Sequence, residues 1–147
     1  MVKTTQQILA LLPYAPPFLF VDELLSVDEN GITGTYIYDA DSDFYKGHFK
    51  DYPVTPGVIL TETMAQIGLA CLGIYLLDGT IGSDIIVALT SAETEYLKPV
   101  FPGEKVTVIS EKIYFRFGKL KCRTFMKNEK GETVCTATIA GMLTSKI

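Results

Sequence analysis

The 147-residue chain has no tryptophan, one histidine, three cysteines, and only three of its 13 basic residues in the first 97 positions. With a single histidine and with Cys71, Cys122 and Cys135 scattered along the chain, there is no metal-ligand spacing. Neither a metal nor another cofactor is therefore expected. An odd number of distant thiols does not make a disulfide framework, so buried reduced cysteines and a cytoplasmic location are expected. Low-complexity runs, Pro/Ser-rich linkers and internal repeats are also missing, which leaves residues 1–147 as a single domain long enough to bury a core. Met1 to Gln7 is polar and the apolar run Ile8 to Leu12 stops at Pro13, so no secretory leader is expected.

Chemistry concentrates in residues 47–66, which hold His48 and, fourteen positions later, Glu62. The segment through Gly57 reads as a loop broken by Pro53 and Pro56-Gly57, and the rest as a helix with Thr55 as its cap and Pro56 at its first position. A lone histidine is more often a surface or satisfied core residue than a catalyst. Glu62 changes that reading, because it is the only charge between Val58 and Leu77 and a carboxylate does not enter apolar surroundings without a partner or a purpose. Gln66, four residues on, can hold one carboxylate oxygen. His48 and Glu62 are thus candidate partners for proton transfer. The same twenty residues have the length of a membrane span, but polar residues crowd one end and no lysine or arginine cluster flanks either side. A helix wrapped by other structure is expected instead, with no membrane span.

The rest of the chain supplies the wrapping. Thr4 or Thr5 caps a short helix through Leu12. Phe18 to Val27 and Ile32 to Asp39 form a hairpin around Asp28-Glu29-Asn30-Gly31, and strands follow near 84–97, 104–117, 119–127 and 132–144. Gly118 and Asn128-Glu129-Lys130-Gly131 mark turns between the last three. This order predicts an α+β hot-dog fold, a curved antiparallel sheet wrapped around one long apolar central helix.

These residues also carry a family resemblance. Leu11-Leu12-Pro13, Pro16-Pro17-Phe18-Leu19-Phe20-Val21-Asp22, Gly47-His48-Phe49, Pro53, Pro56-Gly57-Val58, Glu62 and Met64-Ala65-Gln66, with Lys98-Pro99-Val100 and Pro102-Gly103-Glu104 later, resemble the 3-hydroxyacyl-[acyl-carrier-protein] dehydratases of the FabZ type. The resemblance implies the hot-dog fold, His48 and Glu62 as the catalytic pair, and a homodimer or higher homo-oligomer with each site built at a subunit interface. Glutamate at 62 matches the plain dehydratases rather than the dehydratase-isomerases. Tyr14 stands where the family usually has histidine, Lys50-Asp51-Tyr52 replaces Pro-Gly-x, and threonines occupy 55, 61 and 63 in place of small or apolar residues.

Dehydration of a 3-hydroxyacyl thioester to the trans-2-enoyl thioester suits these residue types. A base must take the weakly acidic C2 proton and an acid must protonate the leaving hydroxyl. Imidazole near neutral pH and a carboxyl in an apolar cleft can fill these roles in either assignment. Charge developing on the thioester oxygen would meet the Gly57 and Val58 N–H groups at the helix start. The pathway implied is fatty-acid, polyene or related specialised lipid biosynthesis.

Charge is divided along the chain, with a net of −10 over residues 1–97 and +6 over residues 98–147. Seven basic residues lie between 112 and 130, among them Arg116, Lys119 and Arg123. An ordinary lysine-rich hairpin looks the same, and the acidic whole lacks nucleic-acid-binding motifs. A small acidic acyl carrier protein bearing a phosphopantetheine-linked acyl group is the partner that such a patch would steer. Two other functions fit the fold: an acyl thioesterase in which Glu62 activates water, and a non-catalytic acyl-binding subunit.

Overall fold

In the computed structural model, which describes residues 4–77 and 85–145, the N-terminal helix α1 (Thr5–Leu11) closes on a capping box. Thr4 Oγ1 accepts from Gln7 N–H at 3.1 Å, and Gln7 Oε1 accepts from Thr4 N–H at 2.8 Å. A hairpin of β1 (Glu23–Asp28) and β2 (Gly31–Ile37) follows. Expected strand positions 18–22 form an irregular strap instead, after a cis Pro16-Pro17 bond. The strap's Phe18 C=O and Phe20 N–H bond the Gln66 side chain, which replaces ladder pairing for those groups. A short helix, α2 (Phe44–Gly47), precedes His48.

The central helix runs as α3 (Gly57–Ala65), a π-helical turn (Gln66–Cys71) and α4 (Leu72–Leu77). It starts with Pro56 as its N-cap residue and without a side-chain cap. The expected Thr55 cap is corrected because Tyr45 engages that hydroxyl at 2.6 Å. Strands β3 (Ile85–Tyr96), β4 (Lys105–Arg116), β5 (Lys119–Lys127) and β6 (Thr133–Ser145) complete a six-stranded antiparallel sheet in the order β1-β2-β4-β5-β6-β3. Met1 to Lys3, Asp78 and position 84 lie outside the described residues.

Strand period sets which side meets the helix. In β5, Leu120, Cys122, Thr124 and Met126 are buried against it, while Lys119, Lys121, Arg123 and Lys127 alternate onto the outer face. Met64, Ile67, Leu69, Leu72 and Ile74 are fully buried. Although the helix is long and apolar enough to cross a bilayer, 72% of its most apolar window is buried inside the fold, so it is the core of the domain. Gly68 allows a close approach of helix and sheet: a Cβ there would lie 2.9 Å from Thr124 Cγ2, and its carbonyl accepts from Ser110 Oγ at 2.8 Å. Between β4 and β5 a two-residue turn places Phe117 at φ +53° and Gly118 at φ +76°. For phenylalanine that left-handed conformation costs roughly 1–2 kcal/mol.

Candidate active site

His48 is pinned to one residue by two bonds. Val54 N–H donates to His48 C=O at 2.8 Å, and His48 Nδ1 lies 2.8 Å from Val54 C=O. A carbonyl only accepts, so Nδ1 carries a proton, and in the neutral ring Nε2 presents a lone pair. The intervening loop is closed by the reciprocal Phe49 and Tyr52 backbone bonds, with Asp51 at φ +63°. Aspartate tolerates that conformation, so the glycine of the resembling family is replaced here without losing the turn. His48 faces a cavity of about 420 Å3 shared with Thr55, Gly57, Leu60, Tyr96 and Lys98.

Glu62 is held differently. Gln66 Nε2 donates to Glu62 Oε2 at 2.9 Å and to Phe18 C=O at 3.0 Å, while Gln66 Oε1 accepts from Phe20 N–H at 2.8 Å. One fully buried amide therefore ties the catalytic candidate to the strap. Burial raises the Glu62 carboxyl above its ordinary range, and the Gln66 bond opposes that rise only in part. Tyr14 lies close enough to feel the Glu62 charge; burial first, then that carboxylate, pushes its phenol up.

Glu62 does not line the cavity that His48 faces. At 3.6 residues per turn, Glu62 lies about 140° round the helix from Gly57 and about 160° from Leu60, both of which line the His48 cavity. Val58, on the Glu62 side, is 74% exposed. The two candidate residues are thus presented on opposite sides of α3.

At the helix start, Pro56 C=O accepts from Ile59 and Leu60 N–H. The Gly57 and Val58 N–H groups belong to the first turn, where a helix offers no carbonyl of its own. Glycine at 57 lets the Tyr96 ring lie against the helix start, since a Cβ there would sit 3.0 Å from that ring. The three unusual threonines each meet a tyrosine hydroxyl: Thr55 with Tyr45 at 2.6 Å, Thr61 with Tyr96 at 2.7 Å, and Thr63 with Tyr38 at 2.7 Å. Tyr96 and the Val54 carbonyl were not singled out in the sequence; nothing in their local pattern marks them.

The expected basic patch is divided. Arg116 and Lys119 flank the β4–β5 turn, with the Arg116 guanidinium 4.4 Å over the Tyr114 ring. Arg123 lies farther along the outer face, donating to Thr138 Oγ1 at 3.2 Å and resting on Phe125.

Residues 12–137 match the FabA-like domain family. A 3-hydroxyacyl-[acyl-carrier-protein] dehydratase FabZ from Sinorhizobium fredii is 35% identical over 144 residues, spanning 96% of this chain and 90% of that protein. The protein of the same name from Acinetobacter baylyi is 32% identical, spanning 92% and 84%. Among solved structures, the dehydratase heterocomplex ApeI:P from Xenorhabdus doucetiae superposes with a TM-score of 0.79 at 13% identity, covering 98% of this chain and 93% of that one. A thioesterase from Haemophilus influenzae gives 0.70 at 17%, covering 99% and 93%. These structures share the hot-dog fold expected from the sequence.

Proposed function

The chain belongs to the FabA-like domain family, and we propose that it dehydrates carrier-bound 3-hydroxyacyl thioesters with His48 as base and Glu62 as acid. It is a 3-hydroxyacyl-[acyl-carrier-protein] dehydratase of fatty-acid biosynthesis. The observation that carries the assignment of roles is the Nδ1 contact of His48 with Val54 C=O. It leaves Nε2 free to take the C2 proton. The raised carboxyl of Glu62 supplies a proton to the C3 hydroxyl, which leaves as water. The C2–C3 double bond forms from the electron pair of the broken C2–H bond. Return of the proton from His48 to Glu62 through solvent resets the pair. Gly57 and Val58 N–H groups stabilise the thioester oxygen as charge builds, and Gln66 fixes Glu62.

Because His48 and Glu62 face opposite sides of α3, the site is complete only when His48 of one protomer meets Glu62 of its partner. Among the described residues, strand β3 ends the sheet and has one edge without a neighbouring strand. Leu89 is exposed on it, with Tyr96 and Leu97 exposed at its end. Pairing two such edges would join the sheets of a homodimer and cover this surface. An acidic carrier protein approaches the outer face of β5 near Arg123, with Lys121 and Lys127 beside it; Arg116 and Lys119 add to the attracting field. Three buried cysteines without a disulfide fit work in the reducing cytoplasm.

The test is turnover of 3-hydroxyacyl thioesters of graded length and unsaturation by purified protein. Enoyl product without free thiol is expected. Free thiol would indicate a thioesterase, and binding without turnover a non-catalytic subunit. Carrier-bound substrate should react faster than its pantetheine analogue, with an advantage that shrinks as salt screens the field over about 10 Å.

A further inference from the structure

Beside the His48 cavity, helix α3 and strand β3 bring three hydroxyls together. Thr61 Oγ1 lies 2.7 Å from Tyr96 Oη and 3.2 Å from Thr94 Oγ1. These two contacts use two of the three hydroxyl protons, and among the described residues none of the three hydroxyls has another hydrogen-bond partner. One O–H is therefore left to donate, with oxygen lone pairs left to accept. The cluster also has a fixed relation to the reacting centre. Thr61 is four residues from Gly57, about 6 Å along the helix and about 40° round it, so it stands one turn behind the N–H groups that receive the thioester oxygen. The Tyr96 ring lies against Gly57 and carries its hydroxyl to Thr61. Within the His48 cavity, Thr55 and Leu60 are each 3% exposed, whereas Tyr96 and Leu97 are 50% and 56% exposed. A carrier-bound substrate enters acyl end first, so the buried wall meets the acyl chain and the mouth at Tyr96 meets the arm that bears it.

We propose that the hydroxyls of Thr61, Tyr96 and Thr94 bind the amide of the phosphopantetheine arm nearest the thioester sulfur, the unused O–H donating to its C=O and a hydroxyl oxygen accepting from its N–H. The inference rests on the dehydratase reading of this site. The sulfur and two methylenes separate the thioester carbon from that amide nitrogen, a reach of about 5 Å at ordinary bond lengths. That reach matches the single turn between Gly57 and Thr61. An amide offers one donor and one acceptor, the complement of what the cluster leaves unused. Every carrier-bound acyl group brings this amide to the same place whatever its chain length, whereas an oxygen on the acyl chain would come with some substrates only. The contact touches neither reacting carbon, so it acts equally on ground and transition states and sets binding rather than the chemical step.

Calorimetric binding of hexanoyl pantetheine to the full chain, compared with an analogue whose amide nearest the sulfur is replaced by two methylenes, reads the contact without turnover. The wild type should bind the amide compound roughly three- to tenfold more tightly, the range for a neutral hydrogen bond. Tyr96→Phe keeps the ring against Gly57 and Thr61→Val keeps the side-chain shape. Each should weaken binding of the amide compound by that factor, while wild type and variants converge on the methylene analogue. With 3-hydroxyhexanoyl pantetheine, each variant should raise KM by the same factor with little change in kcat. Equal losses on both compounds would make the hydroxyls structural and overturn the proposal, as would a wild type that does not distinguish the compounds. A change of native mass in either variant would give the unused O–H to a subunit contact and overturn it too. So would a wild-type preference, lost in the variants, for an oxygen on the acyl chain rather than for the amide. Binding that follows the amide in a protein that forms no enoyl product would uphold this contact and reject the dehydratase, so the two failures are distinct.

Discussion

His48 and Glu62 sit within fifteen residues of each other in the chain, yet the fold supports them by different means. His48 lies on a loop and takes its orientation from backbone groups, through its paired bonds with Val54. Glu62 lies on the central helix and takes its orientation from one side chain, Gln66, which is itself fixed by the Phe18–Phe20 strap. The backbone tether selects a tautomer with a free Nε2, while the helix side raises a carboxyl by burial. Under the proposed mechanism, one half is prepared to accept a proton and the other to give one. Their opposite placement around α3 keeps the halves apart within one protomer.

Loss of either half tests this contrast most severely. His48→Ala and Glu62→Gln should each lower turnover by about a hundredfold or more, with circular dichroism and mass unchanged. Near-normal turnover by either variant would remove that residue from the chemistry. Mixing the two inactive chains under conditions that exchange subunits should restore about a quarter of wild-type activity. Half of the random dimers are then mixed, and each mixed dimer contains one intact site of two. No recovery from verified mixed dimers would place both residues of each site in the same protomer.

The clamp offers a smaller perturbation that acts on the Glu62 half alone. Gln66→Leu leaves the Phe20 N–H and Phe18 C=O without their partner, and a buried group so stranded costs about 1–3 kcal/mol. Denaturant melts should show that loss. Turnover should fall roughly five- to tenfold, the rate equivalent of about 1 kcal/mol of positioning. Gln66→Glu should rescue neither property at neutral pH, because a second buried carboxylate would face the first. If Gln66→Leu melts and turns over like the wild type, the amide is packing rather than support.

Much of this contrast could be read from residue order, and the unreadable parts have a common cause. Glu62 and Gln66 stand out because a charge and an amide interrupt an apolar run at helical spacing. Strand β5 was legible to its ends because its alternation is strict and turn residues bracket it. Thr55 misled: a threonine before Pro-Gly has the chemistry of a cap, but Tyr45, ten residues away, takes its hydroxyl. The same long-range pairing accounts for Thr61 with Tyr96 and Thr63 with Tyr38. Phe18 to Val21 read as strand because the residues are apolar, while Phe18 C=O and Phe20 N–H find their partner in Gln66 on the distant helix. The tautomer of His48 was beyond reach for the same reason, since a backbone carbonyl carries no sequence signature.

The smallest effect expected is one of stability. It separates the carboxyl's charge from its shape. Burial raises the Glu62 pKa in the folded chain above its value in the unfolded chain, about 4.3. Below that unfolded value both states hold the proton and the native protein keeps its full stability. As pH rises toward the folded value, the unfolded chain ionises first, so native stability falls until both states are ionised. In Glu62→Gln the new amide cannot ionise, but its oxygen can still accept from Gln66. Denaturant midpoints of Glu62→Gln relative to wild type should therefore be nearly level in acid, then diverge in favour of the variant as pH rises above about 4, and level off beyond the raised pKa. The gain should be modest because the carboxyl is only half-buried and water screens it. A variant that gains stability while losing turnover identifies Glu62 as a charge kept for chemistry at a cost to the fold. Stability curves that stay parallel from acid to neutral pH would show that burial does not hold this carboxyl up, and the acid role would lose its physical basis.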